Sequence, residues 1–193
     1  MSKTIVGSRA DLHRRLAKGY VEGYRDGLDR GYFTNGGEWK YSEDAVFTCG
    51  PFSDTSTDLP ELQIGKILKD LAESGEGAHG IDGEETSNIE LKVWWTVLPD
   101  YRLLSNRTFV DDESFIMWST FGGHASDGTF ITLVEVDYIE TNEAGEITRW
   151  DALLGYRGWD SMVKALTGKS VDEFSLMDYM AVIMERGAAM GAV

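Results

Sequence analysis

Apolar residues recur every four positions near the start of the chain and predict a long first helix. Ser8 or Asp11 can cap its N-terminus, and the helix is expected to run to about Arg30. Its apolar face comprises Leu12, Leu16, Tyr20, Tyr24 and Leu28. A second stripe beside that face consists of Gly19, Gly23, Gly27 and Gly31. Because each glycine costs an isolated helix up to ~1 kcal/mol relative to alanine, the stripe indicates close approach of another element, such as a sheet.

The second half of the chain is rich in Val, Ile, Thr, Trp and Phe, a composition typical of β-strands. The predicted strands are 91–98, 101–110, 114–121, 129–140 and 146–154. Turn signals containing Pro, Asp, Asn, Ser or Gly separate them, including the segment 142–145. This succession predicts a curved antiparallel meander.

The segments around the meander are more varied. A short helix followed by a strand at about 45–49 is expected after the first helix. Residues 53–90 are rich in Ser, Thr, Asp, Glu and Gly around one predicted helix at 59–72, and are expected to form a long flap or insertion. Two helices are predicted after the meander, at 158–166 and 172–190. The latter carries a stripe of Phe174, Met177, Met180, Ile183 and Met184 that favours core or subunit contacts.

These elements predict an α+β fold. No linker or repeat divides the chain, so residues 1–193 are expected to form one domain, with 171–193 as a C-terminal helical extension. A curved antiparallel sheet wrapped around helices makes a cone with one open end. Because every second residue of a strand points inward, the interior of such a cone is a natural small-molecule cavity.

Charge and cysteine content exclude several classes of protein. Of the 193 residues, 18 are Lys or Arg and 33 are Asp or Glu, which gives a formal net charge of −15. This surplus of acid argues against non-specific binding of nucleic acid and against docking on an anionic membrane. Cys49 is the single cysteine, so neither an intrachain disulfide nor a thiolate zinc cluster can form. With no signal-peptide pattern at the N-terminus, we expect a cytoplasmic protein.

Two carboxylates in the predicted strand 129–140 are candidates for acid–base chemistry. Glu135 and Asp137 share one face of the strand with Ile131, Leu133 and Ile139. Because both faces are apolar, these carboxyls are expected to be shielded from solvent and to have partners or a raised pKa.

The pairing of this strand with the next one decides between two interpretations. If Ile139 lies opposite Ile147, Arg149 lies across from Asp137, and Asp151 lies across from Glu135. One interpretation is a structural ion-pair ladder across the strands. The other is an acid–base cluster inside the cone, in which one carboxylate removes a proton and another group donates one.

His124 and two tyrosines can complete such a cluster. His124 follows two glycines at the end of a predicted strand, at the expected mouth of the cavity. Tyr20 and Tyr24 are either core residues or phenols that donate hydrogen bonds to a substrate.

The aromatic content, 11% of the residues, favours a ligand that contains rings. The predicted substrate-binding residues are Tyr20, Trp39, Trp94, Trp118, Phe121, Glu135, Arg149 and Trp150. The sequence contains no P-loop, no GxGxxG after a strand, no HExxH and no GxSxG elbow. We therefore expect proton transfer, elimination or hydration without a metal or an organic cofactor.

Several strings resemble the nuclear transport factor 2-like superfamily, especially its SnoaL-like branch. They are WWTVLPDY, FIMWSTFGGH, LVEVDYIETNEAGEITRWDALL and GGEWKYSEDAVF, and the resemblance covers about residues 9–166. It implies a cystatin-like α+β barrel. The superfamily includes polyketide cyclases, ketosteroid isomerases, scytalone dehydratases, limonene epoxide hydrolases, a diarylpropane lyase and non-catalytic binding domains.

The resemblance also implies roles for particular residues. His124 matches the histidine of the cyclase pattern, and Asp137 matches its acid–base aspartate. Asp151 is the counterpart of a water-activating aspartate in the epoxide hydrolases. The residues that partner this aspartate in those enzymes are missing from the present sequence. Tyr24 takes the place of the isomerase phenol, whereas the isomerase base would fall at Cys49 or Gly50.

Together these features predict a cofactor-independent lyase, dehydratase or isomerase acting on a hydrophobic, aromatic small molecule, such as a lignin-derived diaryl compound that releases formaldehyde. Asp137 is the predicted acid or base, His124 its proton-transfer partner and Tyr24 a hydrogen-bond donor, while Asp151 and Arg149 position these groups. The alternative is a non-catalytic binding or oligomerisation module. A homodimer or homotrimer is expected in either case.

Overall fold

The computed structural model describes residues 8–36, 38–53, 61–62 and 83–191. Residues 59–72, predicted to contain a helix, lie outside these ranges except for the two at 61–62. Most of the flap predicted at 53–90 also lies outside them.

The first helix, α1 (Arg9–Arg30), has the bounds that the sequence predicts. The Ser8 side chain caps it by accepting a hydrogen bond of 3.2 Å from the backbone N–H of Asp11. The helix ends at Gly31, whose φ of 76° lies in the left-handed region that favours glycine.

The glycine stripe on α1 lets the following loop approach the helix. A Cβ at Gly19 would lie 2.2 Å from the carbonyl oxygen of Asn35, and one at Gly23 would lie 2.5 Å from that of Thr34. The predicted close approach is therefore present at these two glycines. Its partner is the loop after the helix rather than a sheet.

In the described part of the chain, six strands form one curved, open sheet. They are β1 (Tyr41–Gly50), β2 (Glu61–Leu62), β3 (Arg102–Val110), β4 (Ser114–His124), β5 (Phe130–Thr141) and β6 (Ile147–Leu154). Strands β3 to β6 form the predicted antiparallel meander, and the spatial order is β2-β1-β6-β5-β4-β3. Within the described residues the two edge strands do not pair, so the sheet is not closed into a barrel.

Strand β1 corrects the expectation of a purely antiparallel sheet. It pairs with β6 in parallel, with Phe47 beside Trp150 and Cys49 beside Ala152. It also begins at Tyr41, where a short helix was predicted. The sheet is therefore mixed.

The strand predicted at 91–98 is wrong, because these residues belong to the helix α2 (Gly83–Val97) and the turn that follows it. Their Val, Trp and Thr content is typical of strands. The buried positions, however, have helical spacing, with Ile89 four residues before Val93 and Trp94 four before Leu98.

The C-terminal helices are α3 (Tyr156–Thr167) and α4 (Leu176–Ala189), separated by a short 3-10 turn. A capping box between Ser175 and Asp178 fixes the start of α4. Its buried side chains include Leu176, Tyr179 and Ile183, whereas Met177 is 63% exposed. Of the predicted stripe, Ile183 therefore lies in the core and Met177 does not, and its role in a subunit contact stays a prediction.

The resulting fold is α+β, as predicted. Helix α1 packs across β3 and β4, α3 packs against β5, and α2 contacts both α3 and α4. The core lies between the concave face of the sheet and these helices. None of the helices in the described ranges combines the length and the apolar character needed to cross a bilayer.

Candidate active site

A cavity of about 150 Å³ lies between the sheet and the helices. One water molecule needs only ~10–15 Å³ on this measure, so the cavity has room for an organic ligand. Its wall is largely aromatic. The aromatic lining residues are Tyr20, Tyr24, Tyr41, Phe47, Trp94, Tyr101, Trp150, Trp159 and Tyr179.

Strand β5 carries two acidic side chains on its concave face. Ile131, Leu133, Asp137 and Ile139 are buried on this face, as the alternation predicts. Glu135 lines the cavity, and Asp137 is fully buried. The opposite face, expected to be covered, instead exposes side chains such as Phe130 and Val134.

Burial determines the protonation of this carboxyl pair. Desolvation raises the pKa of Asp137 to about 7, although a hydrogen bond from Trp150 favours its charged form. Desolvation also raises the pKa of Glu135 well above its ordinary value, and the nearby charge of Asp137 raises it further. The pair therefore retains a proton at neutral pH.

Asp137 has one conventional hydrogen-bond donor. Trp150 Nε1 donates to Asp137 Oδ1 over 2.8 Å. The other oxygen, Oδ2, is buried and accepts no hydrogen bond of ordinary length from the described residues, although Glu135 and Tyr20 lie near the carboxyl. This oxygen is thus free to take up a proton.

The predicted pairing of Asp137 with Arg149 is wrong. Ala152 lies opposite Asp137 and Leu154 lies opposite Glu135, while Arg149 faces Glu140. The pairing is already offset by two residues from the expected one where Thr141 lies opposite Ile147, and an irregularity between Glu140 and Thr141 adds a third. The carboxyls on the concave face consequently have no ion-pair ladder with β6.

Arg149 and Asp151 lie on the other face of β6 from Trp150, since successive strand residues point to opposite sides. Arg149 Nε donates to Asp151 Oδ2 over 2.8 Å, and Thr48 Oγ1 donates to Asp151 Oδ1 over 2.6 Å. The structure therefore does not bring these two side chains to the cavity with Glu135.

Two phenols predicted from α1 do line the cavity. Tyr20 and Tyr24 are one turn apart, and their ring centroids lie 4.6 Å from each other. Burial raises the pKa of both hydroxyls well above the ordinary value, and nearby carboxylates raise it further. Both side chains are therefore neutral hydrogen-bond donors.

A third carboxyl, Glu90 on α2, lines the cavity and was missed by the sequence reasoning. The Tyr179 hydroxyl donates a short hydrogen bond to Glu90 Oε1, and Trp94 Nε1 donates to the same oxygen over 3.4 Å. Burial raises the pKa of Glu90, and these two hydrogen bonds partly oppose that rise. The signal that would have found it is the four-residue spacing of Glu90 and Trp94, which is informative only if the segment is a helix.

His124 lies at the end of β4, as predicted, but its side chain is 56% exposed and does not line the cavity. Its Nδ1 lies 2.7 Å from Asp100 Oδ2, and its backbone N–H donates to Asp100 Oδ1 over 2.6 Å. These hydrogen bonds lower the pKa of Asp100. The structure does not bring His124 together with Asp137.

The predicted substrate-binding aromatics fall into three groups. Trp94 and Trp150 line the cavity. Trp39 and Phe121 are buried behind it, with Trp39 stacked on Tyr20 at 5.6 Å between ring centroids. Trp118 is 54% exposed and points away from the cavity, so its placement in the substrate site is wrong.

No Lys, Arg or His side chain of the described residues lines the cavity. Cys49 does line it, and burial raises the pKa of its thiol, so the thiol stays neutral at ordinary pH. Within the described part of the chain, no cluster of three or more His, Cys, Asp or Glu side chains is placed to hold a metal ion.

The arrangement is suited to proton transfer. Two interacting carboxyls that hold one proton between them can both give and take a proton near neutral pH. Neutral phenols next to them can hydrogen-bond to oxygen atoms of a ligand. The aromatic wall excludes water and favours a ligand that contains rings.

Comparison with known proteins shows similarity in structure. No protein-family model matches the sequence, and no curated protein matches it. PrhC from Penicillium brasilianum NBRC 6234 has a TM-score of 0.50 at 8% identity, with 86% of this chain and 95% of PrhC covered.

Two further solved structures match less closely. The BvnE pinacolase from Penicillium brevicompactum has a TM-score of 0.45 at 13% identity, with 82% of this chain and 95% of that chain covered. An NTF2-like protein of unknown function from Cytophaga hutchinsonii ATCC 33406 has a TM-score of 0.40 at 7% identity, with 76% and 99% covered. At such identities the comparisons inform about the fold alone.

Proposed function

We propose that the chain has the nuclear transport factor 2-like fold that its sequence predicts, and that it is a cofactor-independent acid–base enzyme of the lyase, dehydratase or isomerase type. Its substrate would be a hydrophobic, aromatic small molecule. The observation that carries this proposal is the Glu135–Asp137 pair, which retains a proton at neutral pH at the wall of an aromatic cavity.

Glu135 is the group that would touch the substrate, because its side chain lines the cavity. In its protonated form it donates a proton to a substrate oxygen, and in its ionised form it accepts one from carbon or from a hydroxyl. Asp137 lies behind it and sets how easily Glu135 gains or loses its proton. In this scheme Asp137 takes the place of His124 as the proton-transfer partner.

Tyr20 and Tyr24 would position the substrate. Both are neutral donors at the cavity wall, so they can hold a carbonyl or hydroxyl oxygen near Glu135. The Trp94 and Trp150 rings offer surfaces on which an aromatic substrate can stack. A lignin-derived diaryl compound that releases formaldehyde is one substrate of this kind.

The test is turnover of a panel of phenolic, diaryl and polyketide-like compounds, followed by mass spectrometry. Wild type is compared with Glu135→Gln and Asp137→Asn, which preserve side-chain shape and remove the titratable carboxyl proton. Glu143→Gln is the matched control, because Glu143 is exposed in the turn after β5. We expect Glu135→Gln to lower kcat/KM by about a hundredfold or more, and the control to leave it unchanged.

The alternative is a non-catalytic binding module of the same fold. It predicts that panel compounds raise the melting temperature by binding and that neither the wild type nor any variant converts them. That outcome would overturn the enzymatic proposal while leaving the cavity as a binding site.

A further inference from the structure

The cavity contains acidic groups on two separate walls. Glu135 comes from β5 in the sheet, and Glu90 comes from α2 among the helices. Asp137 is fully buried beside Glu135, with one carboxyl oxygen lacking an ordinary hydrogen bond. Among the described residues that line the cavity, none carries a positive charge. A largely apolar cavity with acidic groups and no positive charge among its described lining residues leaves room for a counter-charge supplied from outside the chain.

A metal ion does not fit this arrangement. The carboxyls do not converge with a third ligand, and no metal-binding cluster occurs in the described ranges. The lining is mostly aromatic, whereas hard cations need several oxygen ligands at short distance. The counter-charge that fits an aromatic wall is an organic one.

Aromatic rings favour organic cations. Tyr20, Tyr24, Tyr101, Trp94 and Trp150 all line the cavity, and the face of such rings attracts an ammonium group. The combination of rings and carboxylates is the chemistry that recognises quaternary or protonated amines. A hydrophobic frame on the same ligand would contact the apolar residues, including Leu133 and Ala152.

From this geometry we infer that the natural ligand of the cavity carries a positively charged nitrogen on a hydrophobic frame. This inference rests on the proposed function only in taking the cavity as the substrate site. A neutral amine entering the cavity takes the proton of Glu135. The N–H bond forms as the O–H bond breaks, and the products are an ammonium group and a carboxylate. A quaternary amine instead binds as the carboxyl releases its proton to solvent.

The test compares two probes of nearly equal shape and different charge. Benzyltrimethylammonium is the cation, and neopentylbenzene is its neutral isostere. Binding is followed at about pH 8 by quenching of tryptophan fluorescence, since Trp94 and Trp150 line the cavity. We expect the cation to bind at least about tenfold more tightly. Equal or tighter binding of the neutral probe, or no binding of either, would overturn the inference.

Variants and the pH dependence of binding show which carboxyls cause the preference for the cation. Glu135→Gln and Glu90→Gln should each reduce the charge preference severalfold, and the exposed control Glu143→Gln should not. If a variant fails to fold, the deciding measurement is how the preference of the wild type for the cation depends on pH. The titratable groups that surround the cavity are Glu90, Glu135, Asp137, Tyr20, Tyr24, Tyr101, Tyr179 and Cys49. Because Asp137 has a pKa of about 7 and the phenols and the thiol stay neutral in this range, the preference should grow between about pH 5 and about pH 8. A preference that is constant over this range would contradict the inference.

The two proposals fail separately. Turnover that depends on Glu135, combined with indifference to ligand charge, would overturn this inference and leave the proposed function standing. A clear charge preference without turnover of any compound would overturn the proposed function and leave this inference standing.

Discussion

Trp150 Nε1 donates a 2.8 Å hydrogen bond to Asp137 Oδ1, diagonally across the β5–β6 pair. Among the described residues this is the one hydrogen bond of ordinary length to a fully buried carboxyl, whose polar neighbours include Glu135 and Tyr20. It partly offsets the rise in the pKa of Asp137 that burial causes. The balance between these two effects leads to two predictions about stability.

Asp137→Asn should change how stability depends on pH. The pKa of Asp137 rises from 3.8 to about 7 on folding, so the folded protein binds the proton more tightly than the unfolded chain does. Stability is then fully present below about pH 4 and decreases as the pH rises to about 7, by an amount on the order of 4 kcal/mol. The asparagine variant lacks this loss.

Urea denaturation of both proteins at about pH 4 and about pH 8 is the measurement. We expect Asp137→Asn to gain stability relative to the wild type at the higher pH and to differ little at the lower. If the free energies of unfolding of the two proteins differ by the same amount at both pH values, the raised pKa of Asp137 is contradicted.

Trp150→Phe removes the hydrogen bond and should have the opposite effect. The loss should be about 1–3 kcal/mol and should be larger at about pH 8, where Asp137 is ionised. Trp39→Phe is the matched control, because Trp39 Nε1 donates to the neutral carbonyl oxygen of Leu16 over 3.1 Å. The free energy of unfolding that is lost on Trp39→Phe, measured by the same denaturation experiment, should not depend on pH. If both variants behave alike, the bond to Asp137 has no special electrostatic role.

Two glycines of α1 should respond in opposite directions to alanine. Gly19→Ala places a methyl group 2.2 Å from the Asn35 carbonyl oxygen and should destabilise the protein by about 1–3 kcal/mol or more. Gly27→Ala meets no atom closer than 3.5 Å and should stabilise it by up to about 1 kcal/mol through helix propensity. Thermal denaturation of both variants checks this. Similar changes in melting temperature would contradict the packing of the loop on the helix.

His124→Gln tests the predicted role of the histidine. Because the side chain is exposed and paired with Asp100, we expect kcat/KM for a panel substrate to stay within about twofold of wild type. Asp137→Asn in the same assay should lower it far more. A loss of about a hundredfold with His124→Gln would restore the histidine to the proton-transfer pathway.

The predicted homodimer or homotrimer stays a prediction, and the outer face of the sheet is where it can be tested. Phe109, Trp118, Phe130 and Leu153 are each about half exposed there. Light scattering after gel filtration should show an oligomer for wild type and a smaller species for Trp118→Glu, since a charge on that face opposes burial. A wild type that is monomeric at all concentrations would contradict the prediction.

Alternation along β5 was enough to place Glu135 and Asp137 on the concave face, because a strand has only two faces. The partner of Asp137 could not be predicted in the same way. Asp137 lies opposite Ala152 instead of Arg149, an offset of three residues of which the irregularity beside Glu140 accounts for one, and an odd offset replaces Arg149 with a residue of the other face.

Glu90 shows a different limit of sequence reasoning. Its hydrogen bond with Tyr179 joins residues 89 positions apart, so no local pattern contains it. The strand-like composition after Glu90 also concealed the helical spacing that links it to Trp94. His124 was placed correctly along its strand. Whether its side chain reaches the cavity depended on the orientation at the end of β4, where Asp100 accepts hydrogen bonds from both its backbone and its ring.

The parallel pairing of β1 with β6 has a consequence for the order of folding. β1 can pair with the nearby β2, but Thr48 also pairs with Asp151, so its pairing with β6 requires residues about a hundred positions later. During synthesis, β6 can pair with β1 only after this last strand of the meander has left the ribosome. The cavity wall formed by β1 is therefore expected to close late. Refolding should be slow relative to that of a helical protein of equal size, because the ordering of a long intervening segment precedes the contact.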